Sequence, residues 1–243
     1  MVPASGDEFR VSAYRRVAPG CAAEEMSDLD RPALDDLAGC VQIQHFDKDV
    51  VIVGRDSRGD ALFIVESGRV KVVLYGGSGR EIILSIFRNG DFFGEMSLLD
   101  GQPRSATVIA MEPAQVLVLS RDDFVRHLAL YPGTALKILA EMSRRLRKAD
   151  EIIGDLALLD VYGRVARVLL ELGRRDGVRT DEGVLVRVRP TQQDLASMVG
   201  TSRETISRAL SEFQRRGFLF MQGKSLLLSY GFAEQTLGSA SGR

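Results

Sequence analysis

At 243 residues the chain is long enough for one large domain or two ordinary ones. Apolar residues make up 45% and charged residues 27%, a globular composition, and a net charge of -1 excludes a global electrostatic field, so nucleic-acid binding would need a local basic patch. Cys21 and Cys40 are the only cysteines, too few for a disulfide framework or for a four-cysteine metal or iron–sulfur site. The N-terminal stretch MVPASGDEFRVSAYRRV carries no apolar signal region, and no apolar run approaches the roughly 20 residues that span a bilayer, so a cytoplasmic protein without membrane contact is expected.

Residues 1–30 are polar and irregular, with AAEEMSDLDRPALDDLAGC reading as one or two short helices. From Val41 the pattern changes to short β-branched runs: VQIQHF, VVIV, ALFIVESGRVKVVLY, REIILSIF, DFFGEMSLL, RSATVIAM and AQVLVLS. Turn chemistry separates them in GRDSRGD, GGSG, RNGD, DGQP and MEP. Seven or eight strands at this spacing predict an all-β sandwich or roll. After Ser120 the period becomes helical. Ala135, Leu139, Met142, Leu146, Ala149, Ile153 and Leu156 follow alternating steps of four and three, an a/d heptad seam. Since a helix lying on a globular core shows a wider stripe, this narrow seam predicts a dimerisation helix paired with a second copy of the chain. A helix lying on the roll is the alternative.

From Val161 a smaller α+β unit is expected: a helix in VYGRVARVLLELGRR, a strand in GVLVRVRP, two helices in TQQDLASMVGTSRETISRALSEFQRRG and a hairpin in FLFMQGKSLLLS. The paired helices have the anatomy of a helix-turn-helix. Thr191 caps the first, Leu195, Ala196 and Val199 form its apolar side, and Gly200 supplies the positive φ of the turn. Ser202 caps the second, whose Ile206, Leu210 and Phe213 face inward. Arg203, Glu204, Ser207 and Arg208 then occupy the outward-facing early turns, where a recognition helix meets base edges. Arginine matches the O6/N7 acceptors of guanine, and glutamate accepts from cytosine N4. Gln192, Gln193, Ser202 and Thr205 are candidate phosphate contacts. By spacing alone the charged triplet is equally a solvated helix face.

The string SRETISRAL resembles the recognition helix of the CRP/FNR transcription-factor family, and the resemblance runs from about Leu34 to Leu228. LALLDVYGRVARVLLEL is similar to the family's hinge and the start of its DNA-binding domain, and the boundary is expected near Leu159 and Asp160. FGEMSL followed by PRSA resembles the two halves of the family's phosphate-binding cassette. The resemblance implies an α+β chain. Its parts are a cyclic-nucleotide-binding β-roll (a double-stranded jelly roll) over 31–133, a dimerisation helix and hinge over 134–159, and a winged helix-turn-helix over 160–243.

It also implies site residues. Arg104 would pair with a cyclic phosphate in charge-assisted fashion, Glu95 would accept the ribose 2′-hydroxyl and help fix that arginine, and Gly94 would admit the sugar-phosphate. Met96 and Ser105 complete the cassette, while a structural Arg–Glu pair tying a hairpin is the alternative reading of either half alone. Val72, Leu84 and Ser85 would line the base pocket and Arg145 would lie over it. Where cyclic-AMP receptor proteins place Thr and Ser to read adenine, this chain has Ala149 and Asp150. Asp150 can accept from the adenine N6 amine or from guanine N1–H and N2–H. The implied effector is cyclic AMP, toward which Ser105 leans, before cyclic GMP, with cyclic di-GMP also open and no cofactor tightly bound. A constitutive DNA binder using the roll as a scaffold is a further alternative. Implied partners are double-stranded DNA with palindromic half-sites similar to TGTGA, a second copy of the chain, and RNA polymerase. Asp56 stands where the family's usual turn glycine is expected, a residue tolerant of left-handed backbone.

His45 and His127 are the only histidines, they lie in separate elements, and neither has a Cys or carboxylate cluster at metal spacing, so structural or surface roles are expected and no metal site. Cys40 reads as a core residue. With no Ser–His–Asp arrangement, Walker loop or paired catalytic carboxylates, an enzyme is not expected.

Overall fold

The computed structural model describes residues 31–77 and 79–232. Two compact units divide the chain: one holds residues up to 74 together with 83–145, the other 75–82 and residues from 146 onward. Of the predicted N-terminal helices, the part before residue 31 lies outside the described residues, and α1 runs Arg31–Cys40.

Eight strands follow: β1 (Gln42–Phe46), β2 (Val51–Val53), β3 (Ala61–Ser67), β4 (Arg69–Tyr75), β5 (Glu81–Arg88), β6 (Phe92–Phe93), then after α2 (Glu95–Asp100) β7 (Thr107–Ala110) and β8 (Ala114–Ser120). They form two four-stranded sheets, ordered β1-β8-β3-β6 and β2-β7-β4-β5. This is the predicted roll. β3 explains how its layers stack. It pairs antiparallel with β8, Phe63 opposite Val118 and Ile64 opposite Leu117. Side chains alternate faces along a strand, so Phe63 and Val65 enter a core shared with Val70, Val108 and Val116 of both sheets. Leu62 and Ile64 point the other way, into a second core with Leu34, Leu37, Phe124 and Ile138. A strand buried on both faces reads as the continuous apolar run ALFIV.

The second core is roofed by α1, α3 (Arg121–Leu130) and the start of α4 (Pro132–Leu158). Ser120 caps α3 by accepting from the Asp123 N–H at 3.1 Å. His127, 1% exposed, ties the three helices together. Its Nδ1 lies 2.7 Å from Asp36 Oδ2 on α1 and its Nε2 3.0 Å from Thr134 Oγ1 on α4. Asp36 also accepts from Arg126, and Cys40 is half-buried against this core.

One predicted strand is corrected. The run DFFGEMSLL supplies only the two residues of β6, and from Glu95 it is helical. Gly94 ends the strand at φ 86, and Gly101 ends the helix at φ 72. A helix of six residues is too short to show a 3.6-residue period, so its apolar residues read as strand.

In the second unit Asp160 caps α5 (Val161–Asp176), accepting from the Gly163 N–H at 2.7 Å. β9 (Gly177–Thr180), β10 (Gly183–Val186), α6 (Gln192–Val199), α7 (Arg203–Arg215), β11 (Leu219–Gln222) and β12 (Ser225–Ser229) follow. The sheet runs β11-β12-β10-β9 around a core of Leu169, Leu195, Ile206, Leu210, Leu219, Leu226 and Phe232. β9 carries one apolar residue, Val178, and no strand signal; its pairing with β10 makes it a strand. Among the described residues no helix is long and apolar enough to cross a membrane, and no group of three His, Cys, Asp or Glu side chains is placed to hold a metal ion.

Candidate functional site

Two sites are built from the sequence motifs, one in each unit. In the first, Arg104 is 5% exposed and hangs between two elements. Its backbone is pinned to the loop before β3: Arg104 N–H donates to Ser57 O and Asp56 N–H to Arg104 O, both at 2.9 Å. Asp56 reaches this register at φ 64, the left-handed backbone expected of it. The guanidinium donates from Nη1 to Gly94 O and from Nη2 to Ala61 O, each at 2.7 Å. Its Nε is buried with no partner. Burial pulls the Arg104 pKa below its ordinary value, with Asp60 and Glu95 opposing. A Cβ on Gly94 would lie 2.5 Å from Arg104 Nη1, so glycine is required there for the arginine to seat as well as for the backbone's positive φ.

Glu95, the first residue of α2, is 3% exposed. The expected pairing of Glu95 with Arg104 is corrected: its Oε1 accepts from Arg145 Nη1 at 3.1 Å, while Arg104 is fixed by backbone carbonyls. The Arg104 terminal nitrogens are directed at the Gly94 and Ala61 carbonyls, and the Glu95 carboxylate is directed at Arg145. Glu95 Oε2 has no partner. Burial pushes the Glu95 carboxyl above its ordinary value, with Arg145 the largest opposing influence. Two buried polar atoms of the motif thus have no partner in the protein: an acceptor on Glu95, next to Gly94 in the chain, and a cationic donor on Arg104, whose Nη1 bonds the Gly94 carbonyl. Water-excluded groups of that kind are costly unless something completes them.

Arg145 closes this region from α4. Besides Glu95 it donates from Nη2 to Phe92 O at 2.6 Å and from Nε to Glu141 Oε1 at 2.9 Å. Its guanidinium carbon lies 4.7 Å from both the Phe87 and the Phe92 ring centroids. Val72 is half-buried on β4; on β5 Leu84 is exposed and Ser85 half-buried. Met96 and Ser105 are exposed, with Ser105 Oγ 3.9 Å from Met96 Sδ. Ala149 and Asp150 are exposed on α4. Along the seam Met142 packs on the roll's own core, whereas Leu139, Leu146, Ile153 and Leu156 are 58%, 64%, 63% and 56% exposed.

In the second unit α6 and α7 form the two helices of the motif. Thr191 makes a full capping box with Asp194, and Gly200 turns the chain at φ 73. Ser202 caps α7, accepting from the Thr205 N–H at 3.2 Å. Ile206, Leu210 and Phe213 are buried, 0%, 1% and 5% exposed, so Arg203, Glu204 and Arg208 are turned outward. Ser207 and Thr205 are half-buried beside them, Gln192 is half-buried and Gln193 exposed at the start of α6. Arg208 Nη2 donates to Thr205 Oγ1 at 3.2 Å. Hydrogen bonds from its own backbone N–H and from the Ser202 hydroxyl hold the exposed Glu204 carboxyl below its ordinary value, so it is a committed acceptor at neutral pH.

Sequence reading missed Glu141, Phe87 and Phe92, which seat Arg145. Glu141 was visible as a carboxylate four residues before Arg145 on one helix face; the two phenylalanines carried no signal apart from strand burial. It also missed Arg189, whose N–H donates to Lys224 O at 2.9 Å and fastens the β11–β12 turn next to the start of α6.

Family models match both units: a cyclic nucleotide-binding domain over residues 43–131 and a Crp-like helix-turn-helix domain over 163–229. Over 203 residues the chain is 36% identical to a CRP-like cAMP-activated global transcriptional regulator of Mycobacterium tuberculosis, covering 83% of this chain and 90% of that one. It is 31% identical over 202 residues to the cAMP-activated global transcriptional regulator CRP of Escherichia coli, covering 82% and 95%. The solved structure of the c-di-GMP responsive global regulator CLP of Xanthomonas campestris superposes with a TM-score of 0.73 at 25% identity, over 82% of this chain and 99% of that one. These relatives are transcription regulators, not enzymes. With a nucleotide-binding roll in one unit and a helix-turn-helix in the other, the chain belongs to the CRP/FNR family of transcription regulators.

Proposed function

We propose that the chain is a homodimeric, sequence-specific DNA-binding regulator whose roll takes a cyclic nucleotide, cyclic AMP before cyclic GMP. The observation that carries this reading is the open pair of buried atoms beside Gly94, Glu95 Oε2 and Arg104 Nε. A ribose hydroxyl donates to the first and a cyclic phosphate oxygen accepts from the second, so one ligand completes both. The cAMP-activated names of its relatives favour cyclic AMP. Val72, Leu84 and Ser85 face the base in this reading, with Met96 and Ser105 beside the phosphate.

The domain reading is a roll over 31–133, a dimerisation helix and hinge over 134–159 and a winged helix-turn-helix over 160–243, in a cytoplasmic protein. The exposed leucines and isoleucine of α4 pair with those of a second copy. Two copies bring two α7 helices to the two halves of a palindrome with TGTGA-like half-sites, and RNA polymerase is the protein partner at the promoter. Ligand controls DNA binding only by binding one arrangement of the dimer more tightly, and base contacts near Ala149 and Asp150 are the source of that difference.

A second reading, cyclic di-GMP as effector, is favoured by Asp150, whose carboxylate suits the paired N–H donors of guanine, and by the name of the Xanthomonas structure. Calorimetry of the purified protein against cyclic AMP, cyclic GMP and cyclic di-GMP decides between them. Binding of none of the three, with equal operator affinity in their presence and absence, would instead make this a constitutive DNA binder.

A further inference from the structure

Arg121, the first residue of α3, belongs to no motif of the sequence, yet it is bonded to both walls of the Arg104 socket. One wall is α2, which carries Glu95 at its start. Arg121 Nη2 donates to Ser97 O at 2.6 Å and Nη1 to Leu98 O at 3.1 Å, carbonyls in the last turns of that helix, the first of which also takes the Gly101 N–H at 3.2 Å. The other wall is the loop before β3. Arg121 Nη2 reaches Gly59 O at 3.4 Å, and the Arg121 N–H donates to Asp60 O at 2.8 Å.

The two walls touch at this point: a Cβ on Gly59 would lie 2.1 Å from Ser97 Cβ and 3.4 Å from the Arg104 guanidinium carbon. At its start α2 is held by Arg145 on Glu95 and by Arg104 on the Gly94 carbonyl, and at its far end by Arg121 and the burial of Leu98. It is six residues long, and its N-cap, Gly94, has no side chain to bond. A helix that short does not hold itself in water, so its position is set by what grips it. A guanidinium on backbone carbonyls at a helix C-terminus is a charge-assisted grip and complements the helix dipole. The Arg121 charge is also felt at the cradle: after burial, it is the remaining influence that lowers the Arg104 pKa.

We propose that Arg121 is a positioning residue of the nucleotide site, holding α2 and the Gly59 loop in register around Arg104 and adding a second positive charge near the phosphate without touching the ligand. This rests on the cyclic-nucleotide reading of the roll. It gives α3 a direct hand in the shape of the cradle, because the residue that opens that helix is the one that clamps it.

The experiment is calorimetry of the full chain with cyclic AMP for wild type, R121A, R121K and R104A, at low and high salt, alongside thermal unfolding of each ligand-free protein. R121A is expected to bind cyclic AMP about tenfold or more weakly, the loss of charge-assisted hydrogen bonds to α2. R121K, which keeps the charge and can bond one or two of the carbonyls, is expected to recover most of the affinity. The dependence of affinity on salt is expected to be shallower in R121A than in R121K, which a purely structural role would not produce. Should R121A fail to fold, R121Q, neutral but still a donor, replaces it in the comparison with R121K. R104A without affinity beside R121A with wild-type affinity would overturn the positioning role and leave the site intact. R104A binding as tightly as wild type would overturn the site itself.

Discussion

Arg145 Nη1 donates to Glu95 Oε1 at 3.1 Å across fifty residues of chain, and the other oxygen of the same carboxylate stays open. One residue thereby joins the long helix to the proposed nucleotide site. In the proposed function Glu95 serves a ligand hydroxyl with Oε2 while Oε1 holds Arg145 of α4, so ligand and helix would meet on a single side chain. Such a shared group is where differential affinity for two helix arrangements can arise.

That carboxylate sets a pH dependence. Burial raises the Glu95 pKa above its ordinary value, so the folded chain takes up its proton at a higher pH than the unfolded chain does. In the window between the two values the native state binds more protons, so this group favours folding as the pH falls and the benefit is lost as pH rises through the raised value. Ligand binding runs the other way, because only the ionised carboxylate is free to accept at both oxygens. Cyclic-nucleotide affinity is therefore expected to drop as the pH falls through the raised Glu95 value. Glu95→Gln is expected to bind about tenfold more weakly at neutral pH and to lose this acid-side dependence. Calorimetric titrations from neutral to mildly acid pH measure both, and an unchanged pH profile in the variant contradicts the assignment.

The His127 bridge gives a stability test independent of ligand. Its Nε2 has Thr134 Oγ1 as partner at 3.0 Å, and both side chains are buried, 1% and 4% exposed. Thr134→Val keeps the volume and removes the hydroxyl, leaving a buried ring nitrogen unsatisfied. The expected cost is about 1–3 kcal/mol, read from urea unfolding of the full chain. Operator binding in vitro should survive, since His127 and Thr134 belong to the roll unit.

How much of this was legible in the sequence depended on distance along the chain. The helix-turn-helix was readable residue by residue because its determinants are local: caps at Thr191 and Ser202, a turn at Gly200, and an inward face three and four residues apart. The left-handed Asp56 came from the resemblance, because it stands where the family's turn glycine is usual. Residues 95–100 were misread as strand because six residues cannot display helical periodicity, and β9 was missed because its neighbour, not its composition, makes it a strand. The family resemblance implied Arg104 as a partner of Glu95, whereas Arg145, which takes that carboxylate, comes near it only once the roll and α4 have folded. Arg121 was invisible to motif reading, as its ligands are backbone carbonyls that any residue would offer.

The seam on α4 carries its own prediction. Leu146 and Ile153 are 64% and 63% exposed, and each is a large aliphatic group that a second copy would cover. Replacing Leu146 or Ile153 with Asp puts a charge into that contact twice, once from each chain. The dimer is expected to weaken by about a hundredfold or more, read by analytical ultracentrifugation across a concentration series. The unfolding temperature of the roll should be little changed, because neither residue belongs to its core. Operator affinity should fall in parallel with dimer content. A variant that stays dimeric at the same concentrations would move the interface off this seam.

Arg203 tests the DNA-reading face. It is exposed in the first turn of α7, whose orientation is set by the buried Ile206, Ala209, Leu210 and Phe213, so its removal leaves the fold untouched. A bidentate arginine–guanine contact is worth about 1–3 kcal/mol against the wrong base. Arg203→Ala is expected to lose about that much affinity for a TGTGA-containing palindrome and to accept other bases at one symmetric pair of positions. Gln193→Ala, at a proposed phosphate contact, is expected to weaken all sequences alike and leave the preference intact. Selection of bound sites from a randomised pool, with wild type and both variants side by side, separates the two effects. If Arg203→Ala selects the same half-site with the same stringency as wild type, base reading lies elsewhere on α7, and Arg208, bonded to Thr205 at 3.2 Å, is the next residue to change.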